Sequence, residues 1–195
     1  WVASLKDSDT LWQEFVPLNF HVDYWNRLGW VDRFSNQSFT QRQRRYAAEW
    51  GSRRVYTPGF VKNGGEWRRR SLSRLVGDSV GQLVAEPVGS NQYKVTFRPK
   101  DNSIQVSKVQ VALLGHGLST EVKYGENAGE TLHHEFVVLK INQSQMKKKW
   151  DQYQAVVQVS TNKTAGDQGY SLAFWVSGPG SQKPIQATGG FFAQK

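Results

Sequence analysis

The sequence predicts an α+β protein with two domains, at residues 1–80 and residues 81–195. Helical and strand-like apolar spacings alternate in the first domain, whereas the second shows short alternating runs separated by turn residues. Regular short strands of the second kind are typical of an antiparallel β-sandwich of about 110 residues. The length of 195 residues is sufficient for two cores, and the aromatic content is that of a globular protein rather than a disordered one.

The first domain is predicted to begin with a helix and a strand. Residues 1–15 place apolar side chains at helical intervals, and the run at residues 16–25 alternates between apolar and polar side chains. The strand would carry His21, Asp23 and Trp25 on the face opposite its apolar side chains. A polar second face suits an edge strand better than a central one.

A basic helix is predicted next. It begins at a cap formed by Ser38 or Thr40 and ends at Gly51. The arginines of this helix lie largely off its apolar stripe, and they are Arg42, Arg44 and Arg45.

The segment VYTPGFVKNGGEW predicts a hairpin after that helix. Proline would remove a hydrogen bond from a central strand, so Pro58 is expected at the first position of a strand or in a turn. Asn63-Gly64 then reverses the chain, and a short basic helix follows that ends near Gly77. The predicted order of elements in the first domain is therefore α-β-α-β-β-α.

Positive charge is concentrated in one segment. The formal net charge of the chain is +9, and residues 42–74 contain nine Arg and one Lys against two Glu, a local charge of +8. Such a segment is either a solvated face or a docking surface for an acidic protein, an anionic lipid or a nucleic acid. A nucleic acid is the least favoured partner, because no stacking aromatics are arranged on a strand. If the segment docks on an acidic partner, we expect Arg68, Arg69 and Arg70 to make the contact.

Several longer motifs carry a family resemblance. The stretches FHVDYWNRLGWVDRF, TQRQRRYA and VYTPGFV occur in this order, with KYGENAGETL downstream. Together they resemble a family of exported bacterial proteins with domain of unknown function 1223, over nearly the whole chain. The stretch GSRRVYTPGFVKNGGE also resembles the region of a thioredoxin fold in which a cis-proline precedes the third strand. The resemblance implies a thioredoxin-like α/β domain followed by a β-sandwich, in a periplasmic or secreted protein without a settled substrate.

The start of the chain departs from that family pattern. Family members typically have a strand and a Cys-x-x-Cys pair before the first helix, whereas this chain begins within the helix and contains no cysteine. No catalytic cysteine can therefore be assigned, and the thioredoxin-like domain is expected to be incomplete. Because the absent strand would be central in such a sheet, we expect a further N-terminal segment or a second chain to complete it.

The candidate site residues follow from this thioredoxin-like arrangement. It implies that the end of the 16–25 strand and the Thr-Pro turn meet at one edge of the sheet. The predicted substrate-binding residues lie there, namely Thr57, Pro58, Trp25 and Trp30. The predicted catalytic residues are His21, as a proton shuttle, and Asp23, which would orient it. Alternatively, the histidine is a satisfied structural residue and the tryptophans pack beside a core.

Two functions are compatible with the sequence. The first is thiol-disulfide exchange, in which this chain supplies the cis-proline substrate edge and an upstream pair supplies the thiols. The second is a non-catalytic binding or assembly protein that docks a protein partner through its Arg-rich face and β-sandwich. No cofactor or metal is predicted, because His133 and His134 point to opposite faces of a strand and His116 stands alone between glycines. No run of about 20 apolar residues occurs, so no transmembrane segment is predicted.

Overall fold

A computed structural model describes residues 1–68, 79–122, 128–160 and 169–192, which form a β-rich molecule. The helical elements are the 3₁₀ helices Ala3–Asp7 and Asn26–Leu28 and the α-helix α1 at Gln37–Glu49. None of the described helices is both long and apolar enough to cross a membrane. The strands of the described residues are β1 Val61–Lys62, β2 Gly65–Glu66, β3 Gly81–Gly89, β4 Gln92–Pro99, β5 Lys108–Gly115, β6 Leu118–Glu121, β7 Thr131–His134, β8 Val137–Gln145, β9 Lys147–Lys149, β10 Gln152–Gln158, β11 Tyr170–Ser177 and β12 Pro184–Phe192.

Two four-stranded antiparallel sheets form the larger part of the molecule. The outer sheet has the strand order β3-β4-β10-β9, and the central sheet has the strand order β12-β11-β5-β8. Their facing sides enclose the main core, in which Phe97 of β4, Val111 of β5 and Phe174 of β11 are buried. Alternate residues of β4 and β5 point into this core, because successive side chains of a strand lie on opposite faces.

The central sheet is covered on its second face as well. Every residue of β11 is buried, and Ala112 and Trp175 belong to a second cluster that includes Phe39 of α1. Phe20 packs against the same cluster. Burial on both faces explains why β5 and β11 are nearly continuous apolar runs. Residues 1–68 therefore lie as a layer on the central sheet, and we refer to them as the N-terminal layer.

The predicted thioredoxin-like α/β domain is wrong, and with it the predicted α+β fold class. Residues 16–25 form no strand, and Asn19 alone makes a parallel bridge to β8. The Asn19 amide donates to the Phe136 carbonyl at 2.8 Å, and the Val138 amide donates to the Asn19 carbonyl at 2.9 Å. Apolar side chains of the run, such as Leu18, pack on the central sheet instead. The alternation thus reflects burial against a sheet elsewhere in the chain, so the expectation that another segment must complete a separate sheet loses its basis.

The predicted N-terminal helix is reduced to the 3₁₀ helix Ala3–Asp7. Ser8, which follows it, has an extended backbone, and its hydroxyl accepts a hydrogen bond from the Thr10 amide at 3.4 Å. Short polar side chains compete with helical hydrogen bonds in this way. Leu5 and Leu11 nevertheless become buried beside Phe136, so the apolar positions pack without a continuous helix.

The helix α1 begins at a different cap from the predicted one. The side-chain oxygen of Asn36 accepts a hydrogen bond from the Ser38 amide at 2.8 Å. Asn36 is therefore the N-cap, rather than Ser38 or Thr40. Gly51 follows the helix with a φ of +72°, a backbone conformation that favours glycine.

Arg42 is buried, although the sequence pattern places it largely off the apolar stripe of α1. Its exposed fraction is 8%. The residue lies three positions after Phe39 and four before Tyr46, so it shares their side of the helix, which faces the central sheet. Arg44 and Arg45 are exposed, as expected for residues off that stripe.

The hairpin at Asn63-Gly64 joins β1 to β2. Both turn residues have positive φ, +50° for Asn63 and +82° for Gly64. A Cβ atom on Gly64 would lie 2.5 Å from Cγ of Lys183, and the Trp50 indole donates to the Gly64 carbonyl at 2.8 Å. The basic helix predicted after this hairpin lies largely outside the described residues, and the domain boundary near residue 80 stays a prediction.

Candidate functional site

Two loops of the N-terminal layer are held side by side by hydrogen bonds. The indole Nε1 of Trp25 donates to Thr57 Oγ1 at 2.8 Å. The Gln43 side chain of α1 accepts from the Tyr24 hydroxyl at 3.2 Å and donates to the Tyr56 carbonyl at 2.7 Å. The structure therefore brings two of the predicted substrate-binding residues, Trp25 and Thr57, into direct contact.

The other two predicted substrate-binding residues lie on the same loops. Pro58 is exposed next to Thr57, and the peptide bond between them is cis. Trp30 is half-buried and follows Gly29, whose φ is +96°. Their positions are known from the structure, and their role in substrate binding stays a prediction.

The joined loops expose large apolar side chains. Trp25 has an exposed fraction of 47% and Tyr56 one of 45%, and Leu28 and Val31, on the same loop as Trp25, are exposed further. An isolated exposed apolar residue is ordinary, whereas several on adjoining loops indicate an interaction site. We refer to these four residues as the Trp25–Tyr56 surface.

Three exposed arginines lie within three residues of Trp25 or Tyr56 in the chain. They are Arg27, Arg53 and Arg54. Within the described ranges, no carboxylate forms an ion pair with any of the three. Their charge is therefore available to a negatively charged partner.

Arg68 differs from these arginines, because it is paired within the chain. Its guanidinium lies 3.2 Å from the Glu66 carboxylate, and the Tyr56 hydroxyl donates to the same carboxylate at 2.8 Å. Hydrogen bonds from Tyr56 and Arg68 lower the pKa of Glu66, and the bond to Glu66 raises the pKa of Tyr56. The charge of Arg68, one of the predicted docking residues, is thus neutralised by Glu66. The other two, Arg69 and Arg70, lie outside the described residues.

His21, the predicted proton shuttle, pairs with Asp32 rather than with Asp23. Its Nδ1 forms a short hydrogen bond with the Asp32 carboxylate, which also accepts from the Phe34 amide at 2.9 Å. Burial raises the pKa of Asp32, but the hydrogen bond and charge of His21, the Phe34 amide and the charge of His134 together bring this pKa below its usual value. The Asp23 carboxylate accepts from the Thr40 hydroxyl and its amide donates to Thr40 Oγ1 at 3.1 Å, so Asp23 fixes its loop to α1. The catalytic role of His21 and Asp23 stays a prediction.

A second histidine lies beside His21. The ring centroids of His21 and His134 are 5.0 Å apart, and Nε2 of His134 lies 3.1 Å from Thr120 Oγ1. Burial, followed by the charge of His21, lowers the pKa of His134. Nowhere in the described part of the chain do three or more acidic or histidine side chains come together as metal ligands. The ring contact joins the N-terminal layer to the β6–β7 hairpin.

A buried polar network at His116 was not predicted from the sequence. The His116 Nε2 atom lies 2.7 Å from Ser171 Oγ, and its Nδ1 atom lies 3.2 Å from Glu135 Oε2. Lys6 Nζ extends the network by a contact of 3.1 Å with Glu135 Oε1. Burial lowers the pKa of His116. The register of β11 against β5 places Ser171 beside His116, although 55 residues separate them in sequence. Their spacing in the sequence therefore could not predict the contact.

The three side chains are arranged like the serine, histidine and acid of a nucleophilic site. Unlike in such a site, they are buried. Ser171 has an exposed fraction of 0%, and the rings of Phe136 and Phe191 lie against the His116 ring. A nucleophilic serine must meet its substrate, whereas this hydroxyl is closed to solvent. The network instead ties Lys6 of the N-terminal layer to the central sheet.

The fold and these side chains define a class of protein: a β-rich scaffold whose central sheet carries a helix-bearing layer, with an aromatic and arginine-bordered surface on the layer's loops. The chain belongs to the DUF1223 family, proteins of unknown function, because the family model matches residues 1–177. No curated protein matches the chain.

A solved structure supports the fold. The crystal structure of a protein from Agrobacterium tumefaciens is similar to this one with a TM-score of 0.63 and 22% sequence identity. The similarity covers 90% of this chain and 79% of the other. At that level of identity it indicates a shared fold and does not extend to activity.

Proposed function

We propose that the protein is a non-catalytic binding or assembly protein that docks an acidic protein partner through the Trp25–Tyr56 surface. The observation that carries this proposal is the joining of exposed apolar side chains and ion-pair-free arginines on two loops that are bonded to each other. Aromatic residues and arginine are enriched where proteins bind one another.

The order of the loops favours binding. Trp25 is held by its bond to Thr57, and the loop of Tyr56 is held by its bond to Gln43. A partner that meets side chains already held in place loses less conformational entropy on association. The surface therefore has both the composition and the rigidity expected of an interface.

The positive charge of the chain indicates what kind of partner the surface binds. The chain has a formal net charge of +9, and Arg27, Arg53 and Arg54 lie beside the apolar side chains without an ion pair in the described residues. Complementary potentials accelerate encounter and exclude partners of like charge. We therefore infer an acidic polypeptide with apolar side chains as the partner, and not a neutral one.

Thiol-disulfide exchange is not part of this proposal. Its structural basis was the thioredoxin-like arrangement, which the fold replaces, and the chain itself supplies no thiol. A periplasmic or secreted location is retained as part of the proposal and comes from the family resemblance alone.

A charge-reversal experiment tests the docking surface. A fluorescein-labelled peptide of Glu, Leu and Tyr serves as the acidic partner, and its affinity is measured by fluorescence anisotropy at low ionic strength. We expect the double variant Arg53→Glu/Arg54→Glu to weaken binding by roughly tenfold or more. The matched control is Lys147→Glu/Lys148→Glu, which makes the same charge change on the exposed strand β9. Equal losses in both double variants would show that only net charge matters and would contradict the proposal.

A pair of tryptophan variants tests the apolar part of the same surface. We expect Trp25→Ala to weaken binding of the labelled peptide by roughly tenfold, because an aromatic anchor at the centre of an interface carries much of its affinity. Trp150→Ala is the control, since Trp150 has an exposed fraction of 95% on the turn between β9 and β10. If Trp150→Ala caused the loss and Trp25→Ala did not, the docking surface would lie on the outer sheet.

A further inference from the structure

A cleft lies between α1 and the central sheet, and it is separate from the Trp25–Tyr56 surface. Its volume is about 290 Å³. The α1 residues Phe39, Arg42 and Arg45 line one side, and Gln110 of β5 and Ile141 of β8 line the other. The walls thus combine apolar side chains with two arginines and an amide, a mixture typical of small-molecule sites.

Arg42 is the buried cation of this cleft. Its guanidinium lies over the rings of Phe20, Tyr46 and Trp175, at 5.0, 5.5 and 5.3 Å from their centroids. One terminal nitrogen makes a long contact of 3.4 Å with the Tyr46 hydroxyl, and the buried Nε has no hydrogen-bond partner among the described residues. A buried donor without a partner destabilises the protein, so this Nε–H has room for an acceptor that the described residues do not supply.

The positive charge of the cleft is not neutralised by the described part of the chain. No carboxylate there forms an ion pair with Arg42, Arg45 or Lys108. Burial and then repulsion from Arg42 and Arg45 lower the pKa of Lys108. Glu49 is the acid that acts on this group, but its oxygens are engaged by the Ser181 hydroxyl at 3.1 Å and the Gln182 amide at 3.0 Å.

We propose that this cleft binds a small organic oxyanion, whose carboxylate or phosphate group pairs with Arg42. The guanidinium Nε–H is the donor that lacks a partner, and guanidinium recognises such groups in a planar, charge-assisted geometry. Phe39 and Ile141 provide an apolar wall for the remainder of the ligand. Gln110 accepts a hydrogen bond from the Trp175 indole at 2.7 Å through its oxygen, which fixes the orientation of its amide beside the bound anion.

Arg45 completes the site from its rim. It is exposed on α1, one turn from Arg42, and lines the same cleft. Arg44 is its exposed neighbour and does not line the cleft. The two residues therefore form a matched pair of cations, of which one faces the proposed ligand.

A nuclear magnetic resonance titration tests the site directly. Benzoate and phenyl phosphate are added separately to the full chain, and benzamide serves as the uncharged control of the same shape. We expect the Arg42 Nε–H resonance to shift in a saturable manner with an anion and to shift far less with benzamide, because a guanidinium forms its charge-assisted hydrogen bond with an anion and the neutral amide carbonyl is a weaker acceptor. The anion that saturates at the lower concentration identifies the carboxylate or the phosphate as the preferred group. An unchanged resonance with both anions, or an equal shift with benzamide, would overturn the proposal.

Variants at the rim give a second readout. Arg45→Gln is expected to raise the Kd of the preferred anion by roughly tenfold, whereas Arg44→Gln should leave it within about twofold. Equal losses in both variants would assign the effect to general surface charge and contradict a specific site. Both variants should leave binding of the acidic peptide to the Trp25–Tyr56 surface unchanged, so failure of one proposal is distinguishable from failure of the other.

Discussion

The two four-stranded sheets and the N-terminal layer are stabilised in different ways. The sheets are held by continuous antiparallel ladders and by a core that both of them line. The N-terminal layer contains one α-helix and a two-stranded hairpin among its described elements, and side chains such as Phe39 and Phe20 attach it to the central sheet. The sheets thus form the scaffold, and the layer provides the loops that carry the proposed docking surface.

Truncating the main core is expected to have the largest effect. Phe97 is fully buried between the two sheets, so Phe97→Ala removes a large side chain from a site that cannot collapse completely. We expect the free energy of unfolding to fall by about 3–5 kcal/mol. Urea denaturation followed by circular dichroism measures the change, and a loss below about 1 kcal/mol would indicate that the two sheets are not packed as described.

Truncating the contact between the layer and the sheet should have a smaller and more local effect. Phe39 has an exposed fraction of 5% and packs on the central sheet. We expect Phe39→Ala to lower the free energy of unfolding by about 2 kcal/mol, because the layer can move into part of the space. Hydrogen exchange should show lost protection in α1 while β5 and β11 stay protected. Equal loss of protection in both regions would mean that layer and sheets unfold as one unit.

Acidification is expected to cause the smallest loss of stability. It would protonate histidines at the contacts between the N-terminal layer and the sheets. The pKa values of His116 and His134 are lowered in the folded protein, in both cases by burial first. The unfolded chain therefore binds more protons, so stability should fall as the pH drops below about 6.5, by about 1.4 kcal/mol for each pKa unit of difference. The groups facing His116 are Glu135 and Lys6, whose opposite charges act on it in opposite directions.

Single histidine variants assign this pH dependence. Thermal unfolding between pH 7.5 and pH 5 should show a weaker slope for His116→Gln and for His134→Gln than for the natural chain. The exposed neighbour His133 is the control, and His133→Gln should keep the full slope. Asp32 acts in a lower range, because its depressed pKa adds stability that is lost only as the pH falls below about 4. A full slope in both test variants would contradict the assignment.

The sequence predicts the β-rich part of the chain better than the N-terminal layer, for a physical reason. Between residues 81 and 192, strands such as β4 bury alternate side chains against the facing sheet, and the alternation is visible in their sequence. The run at residues 16–25 shows the same alternation, yet its apolar side chains pack on β8 and its neighbours. Alternation indicates that one face is buried, and it does not indicate which surface covers that face.

The site residues show the same limit. Trp25 and Thr57 meet in the structure, as the sequence-based arrangement expected, but they do so through loops joined by Gln43 and not at the edge of a thioredoxin-like sheet. Arg42 was missed because arginine in an amphipathic helix is usually solvated, whereas three aromatic rings enclose this guanidinium. His116 and Ser171 were missed because only strand register unites them.

The turn at Gly64 has a consequence for how the family can vary. Gly64 lies so close to Lys183 that a methyl group on its Cα atom would push the β1–β2 hairpin away from the turn before β12. The same hairpin carries Glu66, which accepts the Tyr56 hydroxyl. A relative with any larger residue in place of Gly64 would have to position this aromatic ring by other means, so the identity of one turn residue limits the shape of the proposed docking surface.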